Sequence, residues 1–169
     1  MIGGFVLLVL AGLAAAAAAL ASADADAWSA HSAEVRQAEA RLTQLIQEAE
    51  TGQRGFLLTG DPTYLDPFTR AGRELPGAEA HLRALTGDNP GQQARLDQLR
   101  PIIDEKIAEL ARSTERMQAG DQAEALAIVR TNAGRDLMRR IRATAAEFDR
   151  AEVELQAKGT VRNFVWGRP

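Results

Sequence analysis

Residues 50–68, ETGQRGFLLTGDPTYLDPF, decide the fold. The apolar positions keep helical spacing, yet Gly52 and Gly55 each cost about 1 kcal/mol against alanine inside a helix. Glycines in such a place imply either close approach of another backbone or a built-in weak point. Gly60 suits the left-handed turn that ends a helix, and Pro62 suits the first turn of the next one. The stretch therefore predicts a long helix that stops near Gly60 and a second that opens at Pro62.

Upstream, Val35, Ala38, Leu42, Leu45, Ala49, Gly52 and Phe56 step by threes and fours, the seam of a helix packed at about 20° to its neighbour. Downstream, Tyr64, Phe68, Ala71, Leu75, Leu82 and Leu85 mark a second helix that Pro76-Gly77 should kink or interrupt. Thr86 to Pro90 reads as a turn. A third helix starts near Pro90 or Gln92, with Pro101 expected to interrupt its early part, carries Leu96, Leu99, Ile103, Ile107, Leu110, Thr114 and Met117 on one face and closes at Gly120. Asp121 caps a fourth helix, whose stripe is Leu126, Val129, Ala133, Leu137, Ile141, Ala145, Phe148 and Leu155, running to about Lys158. Four helices with short connections predict an all-α, antiparallel up-down four-helix bundle.

Residues 2–23 contain no charge and are almost entirely apolar. As a helix they would span roughly 33 Å, enough for a hydrocarbon core of about 30 Å. The run is longer than the apolar core of an ordinary signal peptide and nothing strong breaks the chain after it, so an uncleaved transmembrane helix continuous with the first bundle helix is the favoured reading. Cleavage after Ala21-Ser22-Ala23 or Ala25-Asp26-Ala27 is the alternative. The domain plan is thus an anchor at 1–23, a bundle at 24–158 and a tail at 159–169.

Composition narrows the function. The chain has 169 residues, one domain's worth, with 46% hydrophobic residues but only 5% aromatic, which suits helix packing through small side chains. A net charge of -3 with both signs interspersed offers no basic stripe for nucleic acid. With no cysteine, disulfides and thiolate chemistry are excluded. Bundle di-metal sites use Glu-x-x-His pairs, whereas Glu79 and His81 stand two apart and His31 has no such partner. No nucleophile elbow, phosphate loop or dinucleotide fingerprint is present. No enzyme, cofactor or metal is expected.

The order Gln53-Arg54-Gly55-Phe56-Leu57-Leu58-Thr59-Gly60-Asp61, then Tyr64-Leu65 and Phe68, resembles the signature of the CHASE class-three extracellular sensory domain of bacterial receptors. The likeness continues through Thr86-Gly87-Asp88-Asn89-Pro90, Gln93, Leu96 and Leu99, then Gly120 with Glu124-Ala125, then Gly134, Met138, Ile141-Arg142 and Glu147. It covers roughly residues 24 to 157. The resemblance implies a non-catalytic input domain of a histidine kinase or cyclase receptor in the cytoplasmic membrane, crossing it once, with the bundle in the periplasm or extracellular space. It also implies a homodimer and an unknown small-molecule or protein ligand. The kinase or cyclase module of such receptors does not lie within these residues. An exported soluble binding or adaptor protein is the rival reading.

The candidate ligand or register-fixing residues are Gln53, Arg54, Gly55, Phe56, Thr59, Gly60, Tyr64 and Phe68, with Asp136, Arg142 and Glu147 on the fourth helix. Arg54, a turn from Glu50, could form a register-fixing ion pair with Asp136 or Glu147, or anchor a ligand carboxylate. Tyr64, Leu65 and Phe68 should cover the turn farthest from the membrane, about 55 Å out by helix rise. They could serve there as local core, as a ligand site or as a dimer contact, with Gly52 and Gly55 as hinges.

Overall fold

The computed structural model describes residues 2–166, with side chains described for residues 10–155 except 14, 17, 18, 21 and 23–26. Every element among the described residues is helical: α1 (Ile2–Thr59), a 3₁₀ turn (Pro62–Leu65), α2 (Asp66–Leu85), α3 (Pro90–Gln118), α4 (Gln122–Arg130) and α5 (Ala133–Trp166). No helix among the described residues is long and apolar enough to cross a membrane. The anchor expected at 2–23 and the tail expected at 159–169 fall largely or wholly on residues whose side chains lie outside the described ones.

The helix ends follow from local chemistry. α1 stops at Gly60, whose φ of 73° no β-carbon hinders and whose N–H returns to the Phe56 carbonyl at 2.8 Å. Asp61 then accepts from the Thr63 N–H at 2.9 Å and from its hydroxyl at 2.7 Å. These two bonds lower the Asp61 pKa and set the 3₁₀ turn, in which Pro62 is an opening residue. The second α-helix therefore begins at Asp66-Pro67 and not at Pro62 as the sequence predicted. Pro76 does not break it, and α2 runs unbroken to Leu85 with that proline exposed. Asn89 caps α3 by accepting from Gln92 N at 3.2 Å. Gly120, at φ 81°, ends α3, and Asp121 caps α4 through Glu124 N at 3.1 Å.

The predicted fourth helix is two helices. Asn132 adopts φ 61°, the left-handed conformation that asparagine tolerates better than other side chains with a β-carbon. Thr131 and Asn132 donate to Ile128 and Val129 at 3.2 Å, tightening the end of α4. The Asn132 carbonyl then accepts from Asp136 N at 3.1 Å and starts α5. The break shifts the helical phase, so Val129 and Ala133, expected in the core, are exposed, while Ala125 is fully buried.

The chain divides into two compact units, Met1–Glu34 with Arg150–Pro169, and Val35–Asp149. In the first, Ser32 Oγ donates to Glu152 Oε2 at 3.5 Å, and the Trp28 and His31 rings meet edge to face at 6.2 Å. The second is a helical bundle. Its core joins Val35, Leu42, Leu45, Ile46 and Ala49 of α1, Ala71, Leu75 and Leu82 of α2, Leu96, Leu99, Ile103 and Leu110 of α3, and Leu137, Ile141 and Phe148 of α5. A smaller cluster of Phe56, Leu57, Leu65 and Ala125 closes the end near the α1–α2 turn.

Candidate functional site

The glycines of the decisive stretch admit a close neighbour. A β-carbon on Gly52 would collide with the Tyr64 carbonyl oxygen, and one on Gly55 with the Tyr64 ring. Glycine lets the 3₁₀ turn lie directly on α1. Phe56 is buried and Phe68 packs against the main core, whereas Thr59, Gly60 and Tyr64 are exposed. Thr59 Oγ1 donates to the Gly55 carbonyl at 2.8 Å and accepts from Asp61 N at 3.1 Å. A crevice of about 650 Å3 runs along this contact, lined by Gln47, Thr51, Gly55, Tyr64 and Pro67 among others.

The inward polar layer of the bundle starts one residue away from Arg54, at Gln53. Arg54 is exposed and forms no ion pair among the described residues. Asp136 pairs within its own helix, with Arg139 at 3.1 Å, and Glu147 is exposed. The inward position belongs to Gln53, whose Nε2 donates to Ser113 Oγ of α3 at 2.7 Å. Beside it Lys106, only 1% exposed, donates to Glu109 at 3.0 Å and lies 3.5 Å from Glu50 of α1. A β-carbon on Gly134, in the first turn of α5, would sit 2.6 Å from Glu109 Oε2 and 2.8 Å from Lys106 Nζ. Glycine there lets the buried carboxylate meet a helix N-terminus, whose dipole favours negative charge. The layer thus links α1, α3 and α5.

Two further crevices differ in their charge. One, of about 320 Å3, has an apolar floor of Leu42, Leu75, Ile103 and Ile107. On its rim Arg100 bridges Glu79 and Asp104 at 3.2 and 3.4 Å, so its charges are mutually paired. The other, of about 390 Å3, runs between α1 and α5 and is lined by Glu39, Thr43, Gln47, Arg142 and Asp149 with small alanines. Glu39 is buried, and its carboxyl accepts from Thr43 Oγ1 at 2.8 Å. Burial, and secondarily the nearby Asp149 carboxylate, push its pKa up against that hydrogen bond. Arg142, a predicted candidate, stands exposed in the same crevice.

The family profile of the CHASE3 domain matches residues 25–161. The chain belongs to the CHASE3 family. Among solved structures, this CHASE3 domain is similar to the sensor domain of histidine kinase HK9 from Rhodopseudomonas palustris. The two are 36% identical, the match covers 74% of this chain and 98% of that one, and the TM-score is 0.69. No curated protein sequence matches. The chain is accordingly a sensory input domain with a helical fold.

Proposed function

We propose that this CHASE3 domain is the extracytoplasmic input domain of a bacterial membrane receptor. It senses without catalysis and passes binding of a ligand or partner across the membrane by repacking helices. The observation that carries this reading is the likeness to a histidine kinase sensor domain over nearly that whole domain. The uncharged run 2–23 supports a single-pass anchor in the cytoplasmic membrane. In this reading residues 24–158 form an antiparallel up-down four-helix bundle that works as a homodimer, with α4 and α5 together as the fourth helix. Its output is a kinase or cyclase module. The buried Lys106–Glu109 pair against Gly134 supports repacking as the means, since a charge layer spanning three helices favours discrete registers over gradual slippage.

The chain has no cysteine, so one introduced at exposed Thr59 reports its side of the membrane without background. A membrane-impermeant maleimide should label Thr59→Cys in intact spheroplasts, and the protein should stay in the membrane after an alkaline wash. A soluble product whose intact mass lacks residues 1–23 would establish the exported adaptor instead. To test the receptor role, the chain through residue 158 is fused to the membrane span and output module of a histidine kinase. Gly134→Ala should change autophosphorylation of the fusion, while Arg112→Ala, at an exposed position, should not. Equal activity of both would sink the repacking mechanism.

A further inference from the structure

The charged groups of the α1–α5 crevice are not neutralised by one another or by their neighbours. Elsewhere in the 35–149 unit, the buried charges Lys106 and Glu109 pair with each other. Glu39 is 5% exposed and receives one hydrogen bond, from Thr43, and no cation pairs with it among the described residues. Its second carboxyl oxygen has no donor among the described residues, although Glu39 lines the crevice. A largely buried carboxyl with one hydrogen bond and no cation is poorly compensated for the water it has lost, a cost that a cationic ligand group can offset. Asp149 adds a second negative group beside it from α5.

The opposite charge waits at the other end. Arg142 lines the same crevice and makes no ion pair among the described residues. It precedes Asp149 by two helical turns, about 10 Å along α5. Its guanidinium is a planar donor matched to carboxylates, and its long side chain can fold toward the anionic end. Between the poles lie Thr43, Gln44 and Gln47 of α1 and Ala145 and Ala146 of α5, which offer polar partners on one wall and small side chains on the other. The volume of about 390 Å3 is in the range of small-molecule pockets.

We propose that this crevice binds a free amino acid as its zwitterion. The ammonium group meets Glu39 and Asp149, and the carboxylate meets Arg142. This rests on the sensory reading and names its ligand class. A plain amine would leave Arg142 unmet, and a plain carboxylate would face the two acids. The ligand touches both α1 and α5, so it favours whichever spacing of those helices fits its length, the differential affinity that any conformational signal requires.

The test is titration calorimetry on the full chain in detergent, screening the twenty common L-amino acids singly. At least one should bind. Its N-acetyl derivative, which lacks the ammonium, and the corresponding amine, which lacks the carboxylate, should each bind at least tenfold more weakly. Glu39→Gln and Arg142→Ala should each weaken binding at least tenfold while preserving the helical circular dichroism spectrum. In the window between the ordinary carboxylate range and the raised value of Glu39, binding should release protons, seen as a heat that varies with buffer ionisation enthalpy, and Glu39→Gln should abolish this release. The proposal is overturned by absence of binding at millimolar amino acid. It is also overturned by an amine that binds as tightly as the amino acid, or by Arg142→Ala with unchanged affinity. A fused kinase that responds to Gly134→Ala while no amino acid binds would remove this site alone and leave the receptor role standing. Amino acid binding with an unresponsive kinase would do the reverse.

Discussion

At the scale of single residues, the glycines and the buried lysine make opposed demands. An alanine at Gly52 would drive its β-carbon into the Tyr64 backbone carbonyl, which cannot turn aside, whereas at Gly55 it meets the Tyr64 ring, which can swing into solvent. Gly52→Ala should therefore destabilise by about 1–3 kcal/mol, typical of overpacking. Gly55→Ala should be nearly neutral, because about 1 kcal/mol of helix propensity offsets the lost ring contact. Urea unfolding measures both, and Tyr64→Ala should improve Gly55→Ala but not Gly52→Ala. Lys106→Met strands Glu109 and half-buried Glu50 without their cation and should cost about 3–5 kcal/mol. The double change Lys106→Met with Glu109→Met should recover most of that loss, since a well-packed apolar pair replaces a buried ion pair at little cost. If the double variant is no better than the single one, the layer acts by packing and not by charge. The motif glycines were legible in the sequence because a helix penalty demands a reason. The lysine was missed, although Ile103, Lys106, Leu110 and Ser113 continue the three-four seam and an inward charge there could have been read. Arg54 drew attention through its place in the motif, while the adjacent Gln53 took the inward position.

At the scale of elements, the join between α4 and α5 separates what a sequence shows from what it hides. Hydrophobic spacing predicted one continuous helix because Leu126, Val129, Ala133 and Leu137 keep steps of three and four across Asn132, and a break between them is hard to see against such a pattern. The local signal was Thr131-Asn132, a pair that can cap a helix. Thr131 Oγ1 accepts from Ala133 N at 3.2 Å, and Asn132 takes the left-handed turn. Asn132→Ala should lose about 1–2 kcal/mol, the cost of placing a β-carbon in that conformation. Asn132→Gly should lose no more than a few tenths, as glycine does at such positions. Chemical denaturation of the two variants measures the difference, and equal losses would show that the Asn132 side chain, not its backbone angle, holds the joint. By contrast, the ends at Gly60 and Gly120 were legible because glycine dominates the left-handed conformation that closes a helix. The Pro62 start was displaced because Asp61 and Thr63 bond each other and tighten the first turn into a 3₁₀ segment. Neither Pro76 in α2 nor Pro101 in α3 interrupts its helix. α2, packed on both sides of Pro76 from Ala71 to Leu82, continues without that one donor.

For the whole molecule, stability and sensing meet at Glu39. Its pKa is raised in the folded protein, so between the ordinary carboxylate range and that raised value the native chain holds a proton that the unfolded chain has released. The unfolded state then binds fewer protons, and stability must fall as pH rises through this window and level off above it. Asp61 works in the opposite sense, its lowered pKa adding stability that disappears only as pH falls below the usual carboxylate range. Comparing Glu39→Gln with the wild type removes Asp61 and every other shared group from the balance. The variant should unfold at higher temperature than the wild type at pH 7, and the two should converge as the solution is acidified to about pH 4. Asp149→Asn should give a smaller gain of the same sign, because that carboxylate is the lesser cause of the Glu39 shift, while Arg142→Ala should not raise stability. An amino acid ligand should narrow the gap between wild type and Glu39→Gln at neutral pH, since its ammonium supplies the cation that the bundle withholds. A ligand-insensitive gap would mean that Glu39 is a cost of the fold alone. A gap that closes on binding would make the destabilised carboxyl the feature that lets a small molecule shift the balance of the bundle, a trade of resting stability for response.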